Sequence, residues 1–359
     1  MLQKEIELRL SLFRDIYLDS DLLTAKAIKK VIIEGDTITL EIVLGYPLLS
    51  IKDQMVAALK DWLQPVSQGK RLEIQISAHI DTHVGKQGIQ ALTQVKNIIA
   101  VASGKGGVGK STVAVNLTLA LLKEGAQVGL LDADIYGPSQ PAMLGTSGTR
   151  PIIKDRKIQP LVSHGIQSIS IGNLVDGNAA MVWRGPMLGK ALEQLMHDTQ
   201  WKNLDYLIVD LPPGTGDVQL TLCQKIPVSG AVIVTTPQDL ALLDVRRACE
   251  MFNKLNVPIL GIIENMSVYH CPECGHESPI FGEGGALKLA NEYQLSLLGK
   301  IPLDAQIREM TDGGESIMSG ESSHAKLLGE IARKVAGKLA GQMKDYSAKF
   351  PKVVVEKKP

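Results

Sequence analysis

Ile98 to Leu122 read IIAVASGKGGVGKSTVAVNLTLALL. An apolar run leads into Gly104-Lys105-Gly106-Gly107-Val108-Gly109-Lys110-Ser111 and an amphipathic helical pattern follows, the strand–loop–helix setting that a Walker A phosphate loop requires. Each residue type has a task there. Glycines let the backbone curl until its N–H groups converge on phosphate oxygens, and the helix N-terminus adds a favourable dipole. Lys110 would neutralise the β- and γ-phosphates of ATP, Ser111 would ligate Mg²⁺, and Thr112 would contact the α-phosphate. The bland alternative, a glycine-rich turn without a nucleotide, does not account for a complete motif in its correct setting.

Working outward, apolar runs at Ile98–Ala102, Val128–Leu131, Tyr206–Val209, Ala231–Val234 and Pro258–Ile263 alternate with helical patterns at Ser111–Lys123, Gly189–Met196, Leu240–Leu255 and His324–Lys344. This predicts an α/β domain over 97–345, a mostly parallel sheet with helices on both faces. Residues 1–80 predict a smaller α/β domain: an amphipathic helix, a hairpin through Glu34-Gly35-Asp36, a helix over Ile51–Leu63 and a strand at Arg71–Ala78. Ser50 followed by Asp53 resembles a capping box for that helix. Residues 81–96 read as a linker, and 346–359 as a charged, disordered tail.

The chain has 359 residues, 45% of them hydrophobic, enough for a large core and about two domains. Its 38 basic residues balance 38 acidic ones, so no global field draws it to nucleic acid or anionic lipid. The first residues carry acids among the apolar ones, unlike a signal peptide, and no stretch approaches membrane-spanning length. Four cysteines cannot scaffold so long a chain, which points to the cytosol.

Carboxylates follow two of the apolar runs, in Asp132-Ala133-Asp134-Ile135-Tyr136-Gly137-Pro138-Ser139 and Asp210-Leu211-Pro212-Pro213-Gly214-Thr215-Gly216-Asp217. Ligands of open α/β sheets bind beyond the C-terminal ends of the strands, so these acids should face the same crevice as the phosphate loop. Capping or turn formation is their ordinary alternative. Cys271-Pro272-Glu273-Cys274-Gly275 has metal-knuckle spacing, but it is half a site: Cys223 and Cys249 lie in helical patterns where a buried, inert thiol is usual. Two copies around a two-fold axis would supply four thiolates to one bridging cluster. A structural zinc knuckle, with His270 or His276 as further ligands, and a redox dithiol remain alternatives.

Lys105, directly after the first glycine, makes the loop similar to the deviant Walker A ATPases of the MinD, ParA and nitrogenase iron-protein groups. The resemblance implies that Lys105 reaches the phosphates of a partner subunit, that Asp134 orients the attacking water, and that Asp210 holds Mg²⁺ through water. It further implies that Pro212–Asp217 senses the γ-phosphate and that Asn265, in Glu264-Asn265-Met266, reads the adenine edge. GKGGVGKS, DADIYGPS, MVWRGPM (with Arg184), DLPPGTGD and ENMS followed by CPECG together resemble the Mrp/ApbC family of iron–sulfur carrier ATPases over about 95–345. That family implies a homodimer with a labile 4Fe–4S cluster on Cys271 and Cys274, passed to apoproteins with nucleotide turnover. Residues 1–80 resemble the small domain often fused ahead of such proteins, related to iron–sulfur assembly factors. No cysteine precedes Cys223, so this domain reads as a docking or regulatory module. The competing readings are a zinc-stabilised dimeric ATPase scaffold and a MinD/ParA-like positioning ATPase on membrane or DNA. The surface of the latter would be the helix His324–Lys344, whose apolar face lacks the large aromatics of interfacial helices.

Overall fold

The computed structural model describes residues 2–83, 89, 91–174, 185–342 and 344. Arg184, the tail over 346–359 and part of the 81–96 segment lie outside the described residues.

The central sheet has nine strands. Its spatial order is Leu161–Ser163, Ile166–Ser170, Val128–Asp132, Leu204–Asp210, Val95–Ala102, Gly230–Thr235 and Ile259–His270, with Leu297–Leu303 also alongside Ile259–His270. Pairing is parallel except at two short antiparallel edges, Leu161–Ser163 and Glu277–Ser278. Successive side chains of a strand point to opposite faces. Accordingly Ile99 and Val101 join one core, while Ile98, Ala100 and Ala102 join the other. Both faces are apolar because both are covered. Helices Lys110–Lys123 and Ser323–Ala340 lie on the first face, and Gly185–Asp198, Asp217–Lys225, Asp239–Lys254 and Gly285–Glu292 on the second.

The sheet differs from the sequence expectation in one strand. The run expected to end at Ile263 continues as a strand to His270, so Asn265 lies within a strand and not in a turn after it. Parallel pairing with Leu297–Leu303 carries it on, through an irregularity between Asn265 and Tyr269 where Met266 takes φ 55°. The helix weighed for membrane contact lies against the chain's own core, as its lack of large aromatics favoured: Leu328, Ile331, Ala332, Val335, Ala336 and Leu339 are all buried. Among the described residues, no helix is long and apolar enough to cross a membrane.

Near the N-terminus, strands Ile28–Glu34 and Thr37–Leu44 form the expected hairpin, and Arg71–Ala78 pairs in parallel with the second of them across the crossover helix Lys52–Leu63. Ile38, Leu40, Ile42 and Leu44 alternate inward and share one continuous core with the phosphate-loop helix and with Ser323–Ala340. Gly337 is where the last helix comes closest, since a Cβ there would collide with the Tyr17 carbonyl.

Ser50 does not cap its helix. The N-cap is Ile51, without a side-chain hydrogen bond, and the Ser50 hydroxyl donates to Glu124 Oε1 at 2.6 Å. The Ser50 N–H donates to Glu124 Oε2 at 3.2 Å, and the Leu49 N–H to the Glu124 carbonyl at 3.0 Å. Glu124 is the C-cap of the phosphate-loop helix and is ion-paired to Arg333. Arg333 also donates to Ser50 Oγ at 3.0 Å and stands 5.2 Å from the Tyr17 ring centroid. Both charges are buried, so tertiary contacts with Glu124 and Arg333 outweigh the local cap. Removing one partner of a buried pair leaves the other uncompensated, so Arg333→Met should destabilise the protein by about 3–5 kcal/mol in urea unfolding. Arg333→Met combined with Glu124→Gln should recover most of that loss.

Candidate functional site

The phosphate loop runs between strand Val95–Ala102 and helix Lys110–Lys123. Gly109 forms the N-cap at φ 78°, a left-handed conformation, and a Cβ there would collide with the Asn265 amide. Asn265 Nδ2 donates to the Val108 carbonyl at 2.9 Å, so this strand residue grips the loop directly. Lys105 is exposed on the loop's outer side. A cavity of about 110 Å³ beside it is lined by Gly106, Val108, Thr236, Gln238, Met266 and Phe281, large enough for part of a ligand. Sequence reasoning missed Thr236 and Gln238; they follow strand Gly230–Thr235, and the rule that ligands sit beyond strand ends was the available signal.

The two acidic segments meet as expected. Asp132 and Asp210 are direct neighbours across paired strands, both fully buried. Lys110, 6% exposed, is hydrogen-bonded to Asp210 Oδ1 and stands 3.8 Å from Asp134 Oδ2. Burial raises the Asp134 pKa, Lys110 opposes the rise, and Asp210 adds to it. Burial, with Asp210 beside it, pushes Asp132 up to about 7. Asp132 acts inside the loop: Oδ1 accepts the Asp134 N–H at 3.1 Å, and Oδ2 accepts the Ser170 hydroxyl at 2.9 Å and the Gln140 N–H at 3.3 Å. It therefore shapes the segment that presents Asp134.

Sequence reasoning also passed over Gln140, just beyond DADIYGPS. Its Nε2 donates to Asp210 Oδ2 at 2.8 Å and to the Ser111 carbonyl at 3.0 Å. The Ser139 hydroxyl and Gln140 Oε1 are buried, with no hydrogen-bond partner among the described residues. Mg²⁺ with ATP fits this donor set: a hydroxyl at the helix start, a buried carboxylate, a lysine between carboxylates, and polar atoms awaiting partners.

Strand Ile259–His270 ends in the thiol loop. The chain reverses through Cys271–Gly275, where the Cys271 N–H donates to the His276 carbonyl at 3.0 Å and the Gly275 N–H to the Cys271 carbonyl at 2.9 Å. Cys274 is exposed and Cys271 half-buried, whereas Cys223 and Cys249 are buried. Backbone N–H groups of Cys274 and then Glu273 pull the Cys271 thiol below the usual cysteine range. Burial pushes Cys249 up to about 12, which makes it inert. His270 Nε2 is paired with Glu277 at 3.1 Å, and among the described residues no three His, Cys, Asp or Glu side chains are grouped to hold a metal.

Residues 94–336 match the family model described as NUBPL iron-transfer P-loop NTPase, in the ParA group. The chain belongs to this family. An iron-sulfur cluster carrier protein from Escherichia coli is 48% identical over 92% of this chain and 90% of its own length. The iron-sulfur cluster transfer protein NUBPL of Mus musculus is 50% identical over 68% of this chain and 78% of its own length. Among solved structures, a nucleotide-binding protein from Archaeoglobus fulgidus in complex with ADP is 37% identical, with TM-score 0.54, over 62% of this chain and 87% of that one. The cell division ATPase MinD of Pyrococcus furiosus, 23% identical with TM-score 0.51 over 67% of this chain and 98% of that one, shares the fold.

As an iron-transfer P-loop NTPase, the chain is an ATPase. Lys110→Ala removes the cation between Asp134 and Asp210 and should reduce ATP hydrolysis, followed as phosphate release, at least 100-fold, the scale of losing one preorganised charge at a transition state.

Proposed function

We propose that the chain is an ATP-dependent carrier that holds a 4Fe–4S cluster between two copies of itself and delivers it to apoproteins, receiving it from assembly factors. In this reading the two thiol loops face each other, and Cys271 and Cys274 of each copy supply the four thiolates such a cluster takes. The observation that carries it is the incompleteness of the loop: two accessible thiols at a chain reversal, with no third metal-binding side chain grouped there among the described residues. A cluster held at such a tip stays open to ligand exchange with an acceptor, whereas a closed zinc site retains its metal. The names of the Escherichia coli and Mus musculus relatives, an iron-sulfur cluster carrier and an iron-sulfur cluster transfer protein, support this cargo.

The nucleotide half follows the same reading. Backbone N–H groups of Gly104 to Gly109 cradle the phosphates, with Lys110 on the β- and γ-oxygens and Thr112 on the α-phosphate. Ser111 and, through water, Asp210 hold Mg²⁺, which supplies positive charge where the transferring phosphoryl group needs it. Asp134 orients the attacking water, and Lys105 serves the partner copy. Asn265 commits its amide nitrogen to Val108, which leaves its amide oxygen for the adenine amino group. Residues 1–80 serve as the docking module. Asn265 and Cys271 lie on and just past one strand, at most roughly 20 Å apart at the rise of an extended chain, so a shift of the phosphate loop has a direct route to the thiols.

Anaerobic reconstitution with iron and sulfide tests the proposal through visible absorption and metal content. About four irons per dimer are expected, lost in Cys271→Ala/Cys274→Ala, as four thiolates per cluster require. Zinc alone would favour a zinc-stabilised scaffold, and iron indifferent to the substitutions a positioning ATPase.

A further inference from the structure

Asp210 has two carboxylate oxygens, and both are engaged: Oδ1 by the Lys110 ammonium and Oδ2 by Gln140 Nε2 at 2.8 Å. The second hydrogen of the same amide nitrogen serves the Ser111 carbonyl at 3.0 Å. Gln140 thus bridges the two residues assigned to Mg²⁺. It is 2% exposed, so neither bond is replaced by water at small cost.

Gln140 Oε1, on the same carbon as Nε2, is buried with no partner among the described residues. Reversing the amide does not repair this, because Oε1 would then face the Asp210 carboxylate and the Ser111 carbonyl, both acceptors. A buried amide oxygen left open costs stability unless another state fills it. Mg²⁺ gives up its waters reluctantly and keeps several when bound by one or two protein oxygens, and those waters are donors in search of acceptors.

We propose that Gln140 is a positioning residue for magnesium: its nitrogen orients Asp210 and the Ser111 backbone, and its oxygen is the acceptor reserved for the hydrated ion. The proposal rests on the reading of Ser111 and Asp210 as the Mg²⁺ residues. Because Gln140 lies past the phosphate loop on the short helix Gln140–Met143, it also ties the segment bearing Asp134 to the metal.

The test is a Mg²⁺ titration of binding of a methylanthraniloyl-labelled ADP to the full chain, with melting temperature recorded for each variant. Gln140→Leu keeps the bulk and removes both polar atoms; the Mg²⁺ concentration for half-maximal binding should rise roughly tenfold, the usual loss for an outer partner of a metal site. Gln140→Glu replaces the nitrogen with a second acceptor beside Asp210. It should lower the metal-free melting temperature, yet leave the Mg²⁺ requirement equal to or below that of the wild type. A purely structural glutamine would instead make both variants raise the Mg²⁺ requirement alike, and that result, or an unchanged requirement in Gln140→Leu, overturns the proposal. If the wild type itself binds the labelled ADP without regard to Mg²⁺, the assignment of Ser111 and Asp210 fails, and the role of Gln140 falls with it.

Discussion

The Lys110 ammonium sits among carboxylates that the sheet forces together. Asp132 and Asp210 end adjacent parallel strands in register, and Asp134 follows two residues later, so three acids converge where burial leaves little water to screen them. Lys110 is the cation that touches two of them. One positive charge does not balance this group, and the strain is visible in Asp132, whose pKa is pushed up to about 7 first by burial and then by Asp210. Under the proposed reading, Mg²⁺ and the nucleotide phosphates would compete with this resting ion pair for the same side chains.

The second constraint is mechanical. Strand Ile259–His270 touches the phosphate loop through Asn265 and delivers the chain to Cys271. It is held on one side by Gly230–Thr235 and on the other by Leu297–Leu303, and Glu264, one residue before the contact, accepts the N–H of Ala286 at 3.0 Å. The strand is thus anchored on both sides, and its pairing turns irregular just after Asn265, between the phosphate-loop contact and the thiols.

At the opposite end of the phosphate-loop helix, Glu124 gives its side chain and its carbonyl to Ser50, Leu49 and Arg333. The helix that begins at Lys110 is therefore bonded at its far end to the N-terminal unit. Because the shared core is continuous through Ile42, Leu44, Val335 and Leu339, this unit is packed on the ATPase body and does not hang from it.

The local sequence determined whatever depends on contiguous residues: the phosphate loop, the central parallel strands with their continuous apolar runs, the hairpin at Gly35, and the thiol pair at Cys271 and Cys274. Backbone conformation and strand period are set within a few residues, so they can be read without a fold. Asp132, Asp134 and Asp210 were legible too, because strand ends in such a sheet point one way. Only the tertiary structure decided which polar residues meet across long separations. It turned Ser50 from a helix cap into a partner of Glu124, buried Arg333 beside Glu124, set Asn265 against Val108, and brought Gln140 onto Asp210. A hydrogen bond between residues 70 or more apart leaves no periodicity in the chain, and its energy exists only once both groups have lost their water.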